Sequence, residues 1–194
     1  HETPLGVSVR TADFWLLWAA LFVMWGTGAV ISANSAQVYR AANGGAFDSQ
    51  TNAVYVAVGG LGSAAGRIVA GLLERFCPGR SVTLFLPLPC LIAALALACF
   101  VVLPAGAIAV GFFLQPMAYG MSWAFAILSM RMMYRVDLGM HYGALFTSGM
   151  LAIVGFNRVL FGPWYDRQAR EQGTFPDCSG AVCYRVPFLA LIAL

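Results

Sequence analysis

Five polar side chains lie within apolar stretches of this 194-residue chain, and each can exchange hydrogen bonds with a small polar molecule. Gln115 and Tyr119 are four residues apart, so one face of a helix presents both. Thr27 and Asn34 fall roughly on one face of an earlier apolar run, and Thr147 lies near the middle of a later run. Such groups either contact a polar ligand or hold neighbouring helices together. The sequence leaves both interpretations open.

A second set of chemically notable residues ends the second apolar run. Arg67 lies inside that run, where a membrane strongly disfavours an unpaired charge. The residue is about 13 Å from the end of the run at the helical rise, so its side chain either reaches the membrane surface or finds an internal partner. The turn that follows combines small and charged residues, namely Gly71, Glu74, Arg75 and Arg80.

The cysteines indicate a disulfide rather than a metal site. Cys178 and Cys183 share one polar stretch and are the pair that the sequence favours for a bridge. No third and fourth ligand lie beside them, as a structural zinc site requires. No Ser/His/Asp set and no pair of carboxylates at mid-membrane occurs, which disfavours an intramembrane enzyme. We therefore predict no catalytic residues, no metal and no cofactor.

The composition is that of a membrane protein. Apolar residues make up 60% of the chain and charged residues 10%, whereas soluble domains have about 45–50% and about 25%. The net charge of +3 is small and scattered, and no basic stripe alternates with aromatic residues. We therefore exclude nucleic acid as a partner and expect a lipid bilayer around the chain.

The apolar runs predict six membrane-spanning helices. We expect the sequence Gly26-Thr27-Gly28 to interrupt the first helix near mid-depth and Pro116 to kink the fourth. The last apolar run has nine residues, whereas a span needs about 20, so we expect a truncated final helix. The predicted spans cover about residues 14–39, 52–76, 81–103, 105–130, 138–160 and 186–194, with a linker at 1–10 and a polar loop at 162–185.

Two observations orient the predicted helices in the membrane. The loops on the side of Arg75 and Arg131 carry five arginines against four on the opposite side, a small excess that favours the cytosol. A bridge between Cys178 and Cys183 requires an oxidising compartment. Both place the linker at 1–10 in the cytosol and the loop at 162–185 on the non-cytosolic side.

The charged turn resembles the signature loop of the major facilitator superfamily, which joins the second and third helices of each six-helix half. This copy departs from the family pattern because its acid is Glu74 rather than aspartate, stands one residue early, and is followed by Cys77-Pro78 before the glycine. Further motifs are similar to the C-terminal half of nodulin-like major facilitator proteins, a branch related to the monocarboxylate and oxalate–formate carriers. These motifs are residues 13–17, 26–28 with Asn34, 66–67, 119–124, 141–143, and 165–167 with the cysteine loop.

The resemblance implies half of a secondary transporter, in which two six-helix halves rock around a central site. It implies that the solute is bound by polar groups of the first, fourth and fifth spans, and that the charged turn forms a cytosolic gate. The expected solute contacts are Thr27, Asn34, Gln115, Tyr119 and Thr147, and the expected gate residues are Arg67, Gly71, Glu74, Arg75 and Arg80.

We therefore predict an all-α polytopic bundle, with residues 11–194 as the C-terminal half of a carrier that works with a missing N-terminal half. The predicted function is transport of a small solute by alternating access, with organic anions among the candidate substrates. The alternative is a non-transporting polytopic receptor or assembly subunit that retains the carrier fold. The sequence does not distinguish the plasma membrane from an organelle membrane.

Overall fold

The structure, a computed structural model, describes residues 4–77 and 82–194. All secondary structure in these residues is helical. Arg80, predicted to belong to the charged turn, lies outside these residues. The helices are α1 (Leu5–Ser8), α2 (Ala12–Ala33), α3 (Ser35–Ala42), α4 (Ser49–Phe76), α5 (Pro87–Val102), α6 (Ala109–Met133), α7 (Leu138–Gly155), α8 (Gly162–Glu171) and α9 (Val182–Ile192). A π-helical segment (Phe156–Phe161) joins α7 to α8, and 3₁₀ turns cover Val82–Phe85 and Ala105–Ala107.

Within residues 4–77 and 82–194, three helices are long and apolar enough to cross a membrane. They are α2, α4 and the continuous helix that α7, the π-helical segment and α8 form together. The continuous helix has 34 residues, or about 50 Å at the helical rise, whereas the hydrocarbon core of a bilayer is about 30 Å thick. The composition and these helices together identify a multi-pass membrane protein.

The first long helix differs from its predicted form. Helix α2 continues without interruption through Gly26 and Gly28, and the break falls at Asn34, between α2 and α3. The two glycines serve close packing instead. A Cβ atom at Gly26 would lie 2.7 Å from the Ala152 Cβ, and one at Gly28 would lie 2.8 Å from the Tyr119 Cβ.

The stretch after α7 also differs from its prediction as a polar loop at 162–185. The helix passes through the π-helical segment into α8 and ends only at Glu171, and α9 begins at Val182. Pro163 does not stop the helix; it follows the π-helical segment directly and stands in the first turn of α8. The irregular part is therefore confined to residues 172–181.

Helix α4 begins at a well-defined cap. The Asp48 carboxylate accepts hydrogen bonds from the backbone N–H groups of Gln50 and Thr51 and from the Thr51 hydroxyl. These bonds, the hydroxyl first, lower the pKa of the Asp48 carboxyl because they stabilise its charged form. An aspartate in this position satisfies N–H groups that have no partner inside the helix.

Helices α4 and α6 run in parallel and touch backbone to backbone. Their contact is made by small residues: a Cβ atom at Gly66 would lie 2.9 Å from the Met117 C and 2.9 Å from the Met121 N. Across the same contact, a Cβ atom at Gly120 would lie 2.9 Å from the Ser63 C. Small residues permit this approach in a membrane, where packing rather than water exclusion holds helices together.

The two ends of the bundle have different cores. At one end, the arginine end, Arg75 and Arg131 close α4 and α6, and Phe14 packs with Met130 and Leu145. At the other, the disulfide end, a disulfide joins Cys178 to Cys183, whose Cα atoms are 6.0 Å apart. An apolar cluster surrounds the bridge and contains Phe100, Phe112, Phe161, Tyr165 and Phe188.

Hydrogen bonds and an ion pair hold the residues around the disulfide in place. The Tyr165 hydroxyl accepts a hydrogen bond of 3.1 Å from the Cys178 N–H. Gln172 binds both backbone groups of Ser179, accepting from its N–H at 2.9 Å and donating to its carbonyl at 2.8 Å. Arg40 at the end of α3 forms an ion pair with Asp177. The bridge is therefore part of a compact cap on the disulfide end.

Candidate functional site

Three of the predicted solute contacts line one cavity. This first cavity has a volume of about 250 Å³ and lies between α2, α5, α6 and α9. Thr27, Gln115 and Tyr119 contribute its polar groups, and the rest of its wall is mostly apolar. Gln115 and Tyr119 therefore line the same cavity, as their spacing on α6 predicts, and Thr27 reaches it from α2.

Gln115 is occupied by contacts inside the bundle. With the amide oriented to suit its neighbours, Nε2 donates to the Ala93 carbonyl at 3.2 Å and Oε1 accepts from the Gly28 N–H at 3.3 Å. The side chain is buried and links α6 to both α5 and α2. Of the two interpretations of Gln115, this geometry favours an interhelical hydrogen bond that stabilises the bundle.

Thr27 likewise has a partner of its own. Its hydroxyl donates to the Met24 carbonyl one turn earlier in α2, at 3.1 Å, and the side chain is buried. The hydroxyl oxygen keeps a lone pair for a second contact. The first cavity is therefore chiefly an apolar space. Of its polar groups, Tyr119 is the one whose hydrogen-bonding capacity is used least inside the bundle.

A second cavity is more polar and was only partly predicted. It has a volume of about 220 Å³ and lies between α2, α3, α4 and α6. Its wall contains Ser32, Ser35, Tyr55, Ser63 and Tyr119. Tyr55 and Ser63 are not among the predicted contacts, although Ser63 follows Gly59 by one helical turn, on the side of α4 that approaches α6. Tyr119 belongs to the walls of both cavities.

Asn34 lies apart from Thr27 and Gln115 and joins two helix irregularities. Its Nδ2 donates to the Val30 carbonyl at 2.7 Å and to Asn157 Oδ1 at 2.5 Å. Asn157 lies in the π-helical segment and donates in turn to the Ile153 carbonyl at 2.8 Å. This hydrogen bond therefore links the break between α2 and α3 to the π-helical segment that follows α7. No local pattern in the sequence points to this pair, which is separated by 123 residues.

Thr147 lines neither cavity. It is exposed on α7, donates to the Ala144 carbonyl at 2.7 Å and accepts from the Trp18 indole Nε1 at 3.1 Å. The hydroxyl therefore links α7 to α2 on the outer surface of the bundle. Nothing in this geometry brings Thr147 to the other predicted contacts.

The predicted gate residues lie together on an exposed face of α4. Arg67, Gly71, Glu74 and Arg75 are all exposed, and a Cβ atom at Gly71 would meet nothing within 4 Å. Arg67 and Glu74 form no ion pair with any residue among those described. This face differs from the one that carries Gly62 and Gly66 against α6. The charges of α4 thus remain available to a further partner.

A wide charged cleft opens at the disulfide end. It has a volume of about 520 Å³ and is lined by Asn157, Arg158 and residues of α8. Arg167 in this cleft pairs with Glu171 at 2.8 Å, so part of its charge is compensated. Arg158 has no ion pair within residues 4–77 and 82–194.

Metal-binding groups of three or more His, Cys, Asp or Glu side chains do not occur in the described part of the chain. His141, the histidine at the start of α7, is buried and already bonded, with Nδ1 3.1 Å from the Asp137 carbonyl and Nε2 2.9 Å from the Ser8 hydroxyl. The polar side chains that line the two cavities are hydroxyl and amide groups. Comparison with protein-family models, curated proteins and solved structures gives no match to this chain.

Proposed function

We propose that this chain is half of a secondary carrier, which moves a small solute across a membrane by alternating access. The observation that carries the proposal is the bond between Asn34 and Asn157, which joins the break after α2 to the π-helical segment after α7. Broken helices that meet beside polar cavities are typical of carrier binding sites. Within a bilayer, irregular backbone is tolerated only where it is buried in protein or lines water.

The second cavity is the proposed solute site. The hydroxyl groups of Ser32, Ser35, Tyr55 and Ser63 surround it next to the break at Asn34. Tyr119 closes one side and also borders the first cavity. A rotation of this ring would join or separate the two spaces; in the present arrangement the ring packs directly against the backbone of α2 at Gly28.

The exposed face of α4 is the proposed contact with the other half of the carrier. Gly60, Ala64, Arg67 and Gly71 lie along it, so another helix can approach closely while Arg67 meets a complementary group. Contacts of Arg67 and Glu74 that form in one state and break in the other would hold the cytosolic gate. The resemblance to one major facilitator half supports this arrangement and supplies organic anions as candidate solutes.

The test is solute uptake by the intact protein reconstituted in vesicles, screened with labelled organic acids, amino acids and metal ions. We expect one class to enter faster than into vesicles without protein. The variant Glu74→Gln should then slow uptake while leaving the amount of folded protein unchanged. The matched control is Glu171→Gln, an exposed acid at the disulfide end. Absence of uptake for every solute by folded protein would favour the receptor or assembly subunit.

A further inference from the structure

Four aromatic rings of α6 and α7 form a row that leads toward Arg131. We call this surface the aromatic groove and define it by Tyr119, Trp123, Tyr142, Phe146 and Arg131. Successive rings touch: Tyr119 and Trp123 have centroids 6.0 Å apart, Trp123 and Phe146 5.7 Å, and Tyr142 and Phe146 6.0 Å. All four rings keep partial exposure. A continuous aromatic surface therefore faces outward from the bundle.

A buried tryptophan fixes this surface from behind. Trp25 of α2 stacks on Trp123 with centroids 4.1 Å apart and planes 15° from parallel. It is 1% exposed, and its Nε1 has no hydrogen-bond partner among the described residues. Gly149 makes room, since a Cβ atom there would lie 2.7 Å from the Trp25 Cε3. One face of Trp123 is thus covered, and its partial exposure belongs to the rest of the ring.

The position of these rings differs from that of an interfacial aromatic belt. Trp25 is 13 residues from the start of α2, which is about 20 Å along the helix. Trp123 is ten residues from the end of α6, or about 15 Å. Belt residues lie at the membrane surface, whereas these depths are near the middle of a hydrocarbon core about 30 Å thick. The two tryptophans, unlike Tyr142 four residues into α7, therefore need an explanation other than anchoring in the bilayer surface.

The end of the groove nearest α7's first turn has space and charge for a ligand. A cavity of about 260 Å³ lies there. Arg131 and Tyr142 of the groove line it together with Ile127, and Trp123 and Phe146 lie deeper along α6 and α7. Arg131 has no ion pair in the part of the chain that the structure describes. Ile127 and Arg131 follow Trp123 at intervals of four residues and so lie on the same face of α6. The Arg131 side chain therefore lies at the end of the groove.

We propose that the aromatic groove binds a planar aromatic carboxylate, with its ring against Trp123 and Phe146 and its carboxylate toward Arg131. The stacked rings select a flat ligand because offset and edge-to-face contacts between rings are favourable beyond simple burial. The charge complementarity between Arg131 and an anion selects the carboxylate. This inference rests on the proposed carrier function: the groove adds a binding position beside the second cavity, with which it shares Tyr119, and so narrows the class of solute.

The test measures binding of two matched probes to the purified intact protein in detergent, by equilibrium dialysis. The probes are 3-phenylpropionate and 3-cyclohexylpropionate, which share the carboxylate and chain and differ in the aromaticity of the ring. We expect the phenyl probe to bind about twofold to tenfold more tightly, the range of a favourable ring pair. Trp123→Leu should remove this preference, whereas Trp164→Leu, at the disulfide end, should keep it.

Further variants keep the test decisive. Phe146→Leu, checked for folding by gel filtration, should also reduce the preference, and serves if Trp123→Leu fails to fold. Arg131→Gln should weaken both probes by the same factor, whereas Arg135→Gln should leave them unchanged. Equal binding of the probes, or a preference that survives folded variants at 123 and 146, overturns the inference. Uptake of another solute without binding of the probes would overturn the proposed groove site but not the carrier function. Binding of the probes without uptake of any solute would overturn the carrier function but not the groove site.

Discussion

The contact between α4 and α6 makes a sharp prediction about a single methyl group. Gly66→Ala adds a Cβ atom that would overlap the Met117 carbonyl oxygen and lie 2.9 Å from the Met121 N. Both are backbone atoms of a helix, so neither can move aside as a flexible side chain would. The two helices must separate along their contact for the alanine to fit.

The size of the effect follows from two opposing terms. Overpacking of this kind costs about 1–3 kcal/mol, and contact with backbone places Gly66→Ala at the upper end. Alanine stabilises a helix interior by about 1 kcal/mol relative to glycine. The net loss is therefore about 2 kcal/mol, which for a chain of this size corresponds to a fall in Tm of about 4–8 °C.

The matched control is Gly143→Ala in the interior of α7, away from the proposed contact with the other half. A Cβ atom at Gly143 meets nothing within 4 Å, so only the gain in helix propensity remains and Tm should stay level or rise. Thermal unfolding of both variants in detergent, followed by circular dichroism, gives the comparison. Equal Tm values for the Gly143→Ala and Gly66→Ala variants would refute the backbone contact between α4 and α6.

Three further predictions concern other features of the fold. Asn34→Ala and Asn157→Ala, combined in a double-mutant cycle of thermal stability, should show a coupling of about 1 kcal/mol, and strict additivity would contradict the bond between them. Cys178 and Cys183 should react with a maleimide only after reduction, so labelling of both without reductant would exclude the bridge. The pKa of Asp48 is lowered in the fold, so its contribution should persist from neutral pH to about pH 4 and be lost on further acidification. Asp48→Asn should flatten that acid-induced loss of stability in a thermal scan, and an unchanged pH dependence would contradict the cap.

The sequence predicted those features that depend on composition and local spacing. The membrane environment followed from the apolar content. The pairing of Cys178 with Cys183 needed only their shared polar stretch. Each of these depends on neighbours in the chain, which a sequence displays directly.

Features that depend on distant residues were not predictable in the same way. A Gly-Thr-Gly sequence is compatible with a helix break or with close packing, and the rings of Phe156 and Tyr119 decide for packing at Gly26 and Gly28. The bond between Asn34 and its distant partner has no counterpart in local spacing. For the same reason, the sequence grouped Thr147 with the cavity residues, although its helix presents it to Trp18 instead.

Reciprocal accessibility of the two ends tests the carrier function most directly. Single cysteines replace Ser32, which lines the second cavity, and Ile127, which lines the aromatic groove toward the arginine end, after alanine replaces the free cysteines 77, 90 and 99. Labelling rates with a water-soluble maleimide are then compared with and without a saturating transported solute. Alternating access predicts that one rate rises while the other falls. Alternating access would be contradicted if both labelling rates changed in the same direction, or if neither changed when the solute was added.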